Sequence, residues 1–486
     1  MPAQIAGLKA SGFDFAPLLA AAIAGESDDD EEHDSLNEVD EEYPPNPLND
    51  IDIEYPPLPL PDPLNEVDDV SPSQPPRKKP RCSPSFDEVV ATAVPAHRGP
   101  HHQRPAKPKS DAAKAKSKTG SKRRKAEKRD RRIATEGHIP HTSTVREYVH
   151  GAEPLATSLD AATLPAAHGA YVAKIEQKGE KWGSKKCRSL LELLGLGFRL
   201  VQWNGIDPCP LVDSKGRVFT VLAGQPDTPS YKASVAAAFQ EIMNEGNAAK
   251  FPADMRKHRR SLFAAINVGL TYGKGQTVPT WLLCGNYAAM TEQLLANEHI
   301  DRMATFASSA FAMWAPRLHQ YYRTQDAKLR KHFPQLPRIF PRSVFSCAAF
   351  NFGPNVWTFQ HCDVWNVPFG LCAVQAAGDF DLTKGGHLVL WELKLVIEFP
   401  SGALILLPSA TISHSNIPVQ KGDTHVSFTQ FTAGGLMPYV DNGCRTLEEL
   451  RVQDPQEFER LEAERDSRWE MGLGLLSTMD ELLGVK

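Results

Sequence analysis

His361, Asp363 and His414 are the residues of this 486-residue chain whose types and spacing are best suited to chemistry. His361 and Asp363 stand two apart, and on an extended strand such residues share a face, so both side chains can reach one ion. His414 follows Asp363 by 51 residues, in Ser413-His414-Ser415-Asn416, just after the apolar run 403–407. Two imidazoles and one carboxylate bind non-haem Fe(II) on one side and leave three positions for oxygen and a co-substrate. His-x-Asp alone is a common pattern, so the reading needs its strand context. His387 and His425 are rival third ligands. His387 opens a strand after Gly385-Gly386, where a polar surface or cross-strand role fits better, and His425 follows a Gly-Asp-Thr turn.

The elements that must position these groups are strands. Segments 367–375, 386–391, 394–399, 403–407 and 425–432 are β-branched and apolar and are separated by Gly, Pro and Asp turns. That rhythm predicts an α+β chain with a double-stranded β-helix, a jelly-roll closed around a pocket. Upstream, Ser189 followed by an apolar run and Gly195 predicts a short helix. Segments 198–203 and 216–222 alternate like strands, and helices are expected at 231–244, 286–295 and 302–331. Downstream of the jelly-roll, helices are expected at 447–453 and 456–469, then one capped by Thr478 and Glu481. Trp469, Leu473, Leu476 and Leu482 are expected to pack back on the barrel.

The runs Ala349-Phe-Asn-Phe-Gly-Pro354, His361-Cys-Asp-Val-Trp-Asn-Val-Pro-Phe-Gly370, Gly378-Asp-Phe-Asp381, Gly385 to Pro400, Pro408 to Pro418 and Ser427-Phe-Thr-Gln-Phe431 resemble the fungal branch of the TET/JBP dioxygenases. The resemblance extends over about 190–483 and is strongest over 340–442. It implies an Fe(II)- and 2-oxoglutarate-dependent enzyme that uses O2 to oxidise the methyl group of 5-methylcytosine in DNA to hydroxymethyl, formyl or carboxyl products. It further implies His361, Asp363 and His414 as metal ligands. In that family an Arg-x-Ser pair after the distal His clamps the far carboxylate of 2-oxoglutarate, and here His425 and Ser427 hold those positions, eleven and thirteen residues past His414. Arg is a permanently charged fork, whereas His is mostly neutral near pH 7 unless a bound anion raises its pKa. The substrate base must be flipped out of the duplex. Phe431 is a candidate to stack on it and Asn366 to read its edge, with barrel packing and turn formation as their structural alternatives. Arg259, Arg260 and Lys274, around a glycine-rich loop, are candidates for contacts to the DNA backbone. The alternatives are a catalytically impaired DNA-binding paralogue and the same chemistry on another methylated base, RNA or protein.

Net charge is −5, but it conceals two opposed blocks. Residues 26–69 hold eighteen Asp and Glu and no Lys or Arg, and residues 77–132 hold nineteen Lys and Arg against five acids, so neither block can bury a core. The organisation expected is a disordered acidic then basic tail over 1–145, a Gly/Ala-rich connector over 146–187, an α/β part over 188–339, the jelly-roll over 340–442 and a helical segment over 443–486. The acidic, Pro-rich tract repeats Leu-Asn-Glu-Val-Asp at 36 and 64 and reads as a solvated spacer or as bait for a protein partner. The basic clusters read as nuclear import signals or as salt-sensitive, sequence-blind contacts to DNA, against the plainer reading of a solubilising tail.

Other functions are excluded or disfavoured. The run Leu18 to Ala24 is too short and badly flanked for a signal peptide, and no membrane span is expected. Gly269 to Gln276 lacks the spacing and the terminal Lys-Ser/Thr of a phosphate loop. The eight cysteines contain no Cys-x2-Cys pair, which disfavours structural zinc and fits a reducing compartment.

Overall fold

The computed structural model describes residues 140–174, 186–273 and 275–484, with six positions of the basic tract between 120 and 128. The acidic tract, most of the basic tract and Lys274 lie outside the described residues. Among the described residues no helix is long and apolar enough to cross a membrane.

Thirteen strands are described: β1 (Leu155–Ala156), β2 (Arg199–Val201), β3 (Cys209–Val212), β4 (Val218–Gly224), β5 (Ala264–Thr271), β6 (Thr280–Trp281), β7 (Cys347–Phe352), β8 (Cys372–Asp379), β9 (Leu388–Leu390), β10 (Leu395–Ile397), β11 (Leu404–Leu407), β12 (His414–Asn416) and β13 (Thr424–Phe431). They form a nine-stranded sheet in the order β1-β3-β4-β11-β8-β13-β7-β5-β6 and a four-stranded sheet in the order β12-β9-β10-β2. This is the double-stranded β-helix of an α+β protein. Both sheets mix strands from before and after residue 340, so the stretch upstream of the jelly-roll supplies part of it.

The main helices are α1 (Thr142–Tyr148), α2 (Leu190–Gly195), α3 (Pro229–Ala249), α4 (Ala288–Ala296), α5 (Glu298–Trp314) and α6 (Pro316–His332), followed after the sheets by α7 (Leu436–Asp441), α8 (Leu447–Gln453), α9 (Pro455–Ala463), α10 (Arg468–Gly474) and α11 (Met479–Leu483). The single helix expected over 302–331 is two, because Pro316 has no amide hydrogen to give and constrains Ala315, which sits at φ −137° and ψ 63°. The helix expected over 456–469 likewise stops at Ala463 and resumes at Arg468. The capping box expected at Thr478 with Glu481 forms, and Ser189 with Glu192 makes another at the start of α2.

Alternation along β13 explains the layers. Val426 and Phe428 face outward and pack with Phe350 and Phe352 of β7, Tyr231, Val235 and Ile242 of α3, and Ile300 and Met303 of α5. Each fully buried Phe there stabilises the fold by roughly 1.5–3 kcal/mol. The intervening His425, Ser427, Thr429 and Phe431 share the opposite face, toward the barrel interior. The connector expected over 146–187 packs into the core over its described residues up to Lys174. β1 pairs with β3, and Val149, Ala161, Leu164 and Ala170 are buried against it. At the other end of the chain, Leu473 and Leu476 are buried in the same cluster, with Trp469 and Leu482 against it.

Candidate metal centre

His361 and His414 face each other across a narrow antiparallel bridge. The His361 amide donates to the His414 carbonyl at 3.1 Å, and the His414 amide to the His361 carbonyl at 2.9 Å. The ring centroids are 4.3 Å apart. Each ring is oriented through Nδ1, which donates to the Phe359 carbonyl at 2.8 Å in His361 and to the Ile412 carbonyl at 3.0 Å in His414. That leaves each Nε2 with a free lone pair, the form a metal requires.

Both lone pairs point at Asp363, whose two oxygens lie 3.8 Å from His361 Nε2 and His414 Nε2 respectively. All three donor atoms fall within 4.8 Å of one another, and among the described residues no other cluster of this kind occurs. A 3.8 Å gap is too long for a hydrogen bond, yet shorter than two metal–ligand bonds of about 2.0–2.2 Å each, so the space between the donors is ion-sized. Burial, then the neighbouring His414, hold the His361 ring well below its ordinary pKa and so neutral. Burial works against ionisation of Asp363, but the two imidazoles with Arg260 and Arg259 outweigh it and hold the carboxyl below its usual range. A neutral His beside an ionised Asp is the donor state that a divalent cation selects.

Further contacts fix the ligands. The Asp363 amide donates to the Ser409 carbonyl at 2.8 Å. The Glu392 carboxylate accepts from the Ser413 amide at 2.9 and 3.1 Å and from its hydroxyl, so it grips the residue before His414. Cys362 is buried, and burial, with Glu392 and Asp363 nearby, pushes its thiol up to about 12, which leaves it a protonated, inert neighbour.

His425 lies on β13 with Nδ1 donating to the Val356 carbonyl at 2.7 Å, and its buried Nε2 has no partner. Burial pulls its pKa down to about 4 against that hydrogen bond. Ser427, on the same face, accepts from Asn351 Nδ2 at 2.7 Å, and the buried Asn351 Oδ1 has no partner. The orphaned Asn351 Oδ1 and His425 Nε2 are both acceptors, and the Ser427 hydroxyl beside them is the donor this polar lining has to offer an oxygen atom while His425 is neutral. Asn366 is buried, and its Nδ2 bonds to Ser409 Oγ at 3.3 Å and Cys372 Sγ at 3.2 Å, so both amide hydrogens are engaged and Oδ1 is the group left for a ligand. Phe431 is half-buried at the end of β13, opposite Cys347.

Arg259 and Arg260 sit against the segment that carries His361 and Asp363. Arg259 donates through Nη2 to the Cys362 carbonyl at 3.3 Å, and the Arg260 carbonyl accepts from the Phe359 amide at 2.8 Å. His387, the rival ligand, is fully buried away from this cluster, and neither ring nitrogen has a partner. Glu392, Ser409 and Asn351 escaped the sequence reading. Each acts through a partner 21 to 76 residues away, and only the Trp391-Glu392 turn, an acid between two apolar strands, hinted at one of them.

Fold and donor set define the class: a double-stranded β-helix that carries a two-histidine, one-carboxylate cluster able to hold one metal ion. No sequence family matches the chain, and no curated protein matches it. Among solved structures it is similar to NgTET1 in complex with 5mC DNA, at 10% identity and TM-score 0.36, covering 49% of this chain and 83% of that one. It is also similar to an oxidoreductase of the 2OG-Fe(II) oxygenase family from Burkholderia pseudomallei, at 14% identity and TM-score 0.23 over 41% and 78% of the two chains. A third similarity is to AviO1 from Streptomyces viridochromogenes Tue57, at 12% identity and TM-score 0.24 over 45% and 90%.

Proposed function

We propose that this protein is an Fe(II)- and 2-oxoglutarate-dependent dioxygenase that oxidises the methyl group of 5-methylcytosine in DNA to hydroxymethylcytosine, with formyl and carboxyl products as further steps. The observation that carries the reading is the convergence of His361 Nε2, His414 Nε2 and Asp363 on one ion-sized space in a jelly-roll. When bound, Fe(II) with 2-oxoglutarate and O2 supplies the oxidation of a C–H bond to an alcohol, and the co-substrate leaves as succinate and CO2.

The chain's own residues do the rest. His361, Asp363 and His414 fill one side of the ion and leave the other side to the co-substrate. Ser427, Asn351 and His425 line the interior face of the sheet where the far carboxylate would lie. Arg259 and Arg260 bring positive charge to the mouth, where a phosphate backbone must pass for a flipped base to enter. Asn366 Oδ1, with its amide hydrogens already engaged, is suited to accept from an amino group such as that of cytosine.

One observation favours a second reading, a nucleic-acid-binding protein with impaired catalysis. Neutral His425, with Nδ1–H committed to Val356, offers only a lone pair at Nε2, which repels a carboxylate. One assay separates the two. Purified protein is incubated with Fe(II), 2-oxoglutarate and methylated duplex, and the DNA is digested to nucleosides for mass spectrometry. Hydroxymethylcytosine that disappears in His361→Ala supports the oxygenase, and retention of DNA with neither succinate nor oxidised base supports the binding protein.

A further inference from the structure

We infer that Trp365 is the positioning residue that occupies the gap left in the base stack when the substrate nucleotide is drawn into the metal pocket. The inference rests on the proposed oxidation of a base in DNA and names the residue through which duplex substrate is opened.

Asp363, Val364, Trp365 and Asn366 form a tight turn closed by the Asn366 amide donating to the Asp363 carbonyl at 2.9 Å. A proposed metal ligand therefore opens the turn and the indole stands at its corner. Trp365 is 40% exposed, and the other exposed large hydrophobic residues among the described ones are aliphatic or Met. Its backbone is fastened from two distant segments: the Gly434 amide donates to the Trp365 carbonyl at 2.8 Å, and the Ala173 amide to the Val364 carbonyl at 2.9 Å. The turn that carries this partly exposed indole is thus anchored beside Asp363, and little backbone entropy remains to be lost when it engages a partner.

Positive charge lies along the same segment. Arg259 reaches the Cys362 carbonyl three residues before the indole, Arg260 adjoins the same segment through Phe359, and exposed Lys174 follows the Ala173 that bonds the turn. A flat ring among cations is how proteins hold unstacked nucleic acid, the ring taking a base face and the cations the phosphates. Flipping a nucleotide leaves a cavity of one base thickness between its neighbours, which an aromatic ring can fill. A protein side chain or small molecule as substrate presents neither a stack to refill nor a row of phosphates.

The test uses full-length protein loaded with Mn(II) and 2-oxoglutarate, and a duplex with 2-aminopurine at the position of the target base, whose fluorescence rises when it is drawn out of the stack. Wild type should raise the signal, W365F should keep at least about half of the rise, and W365A should lose it, while W365A binds the duplex within about tenfold by anisotropy. In turnover with Fe(II), W365A should raise KM for methylated duplex about tenfold and leave KM for the same single strand unchanged, since a single strand has no stack to refill. Unaltered circular-dichroism melting for W365A, with the W365F rescue, separates this role from a folding defect. A W365A signal equal to wild type, or a wild type that leaves the signal flat, overturns the inference. Signal that depends on Trp365 without any oxidised base would sink the proposed oxidation and leave this inference standing. Oxidation without it does the reverse.

Discussion

On the proposed reading, His425 sets the pH at which the interior pocket can hold the co-substrate carboxylate. Its pKa of about 4 means the imidazole is uncharged in the empty pocket at neutral pH, so taking a carboxylate at Nε2 requires uptake of one proton. Affinity for 2-oxoglutarate is then expected to fall as pH rises above 4, approaching tenfold per unit until the pKa of the complex is passed. Calorimetry in buffers of different ionisation enthalpy reads that proton directly. His425→Arg should remove the slope and lower Kd at pH 7.5, and a wild-type Kd independent of pH means that another group holds the carboxylate. His387 makes a stability prediction with the sign worked the same way. Burial holds it at about 4 against an unfolded value near 6.5, so the stability it leaves intact above pH 6.5 is lost as pH falls toward 4. With both ring nitrogens unpartnered, His387→Leu should gain about 1–3 kcal/mol at pH 5 in urea titrations, and less at pH 8. At this scale the clustering of His361, Asp363 and His414 was legible from residue types and spacing, although the extended strand expected to carry His361 and Asp363 is a single bridge at His361 followed by a turn. The environment of His425 was not, since its partner Val356 lies 69 residues away.

Between neighbouring elements, geometry depends on close backbone approach. Gly378 of β8 sits opposite His425 with φ +156°, and a Cβ there would lie 2.1 Å from the Thr424 carbonyl oxygen. Gly378→Ala should push β13 away and cost about 2–4 kcal/mol by thermal melting, with a weakened 2-oxoglutarate titration alongside. Glu392, in the turn between β9 and β10, braces Ser413 and through it the start of β12. Glu392→Gln keeps the shape and loses the charge-assisted bonds, so Mn(II) affinity is expected to fall about 10- to 100-fold while the melting temperature of the metal-free protein changes little. The strands from 372 onward, β12 excepted, were visible as apolar runs between turns. β5 was missed because its residues 264–271 run into a glycine-rich loop that drew attention to its own turn chemistry, and β3 because four residues carry too little alternation. The split at Pro316 was there to be read and was overridden by the apolar stripe on either side of it.

Across the whole molecule, the jelly-roll does not stand alone. Strands from residues 155–281 extend the nine-stranded sheet at both ends, and the segment 140–174 packs into the core before its Ala173 bonds the turn after Asp363. A Cβ on Gly434 would lie 1.8 Å from the Tyr171 carbonyl oxygen, which shows how tightly that segment seats beside the mouth. A chain that starts at residue 186 should therefore melt well below one that starts at 140 and show exposed apolar surface by dye binding. Composition suggested the reverse, a loose connector, because Ala and Gly read as linker until their partners are known. The mutual amide bonds of His361 and His414 carry one more consequence. Each ligand's N–H is shielded by the other's carbonyl before any ion arrives, so deuterium should enter these two positions slowly in the apoprotein and hardly more slowly after loading. Ion capture should accordingly be quick, limited by dehydration of the cation and not by a rearrangement of the chain.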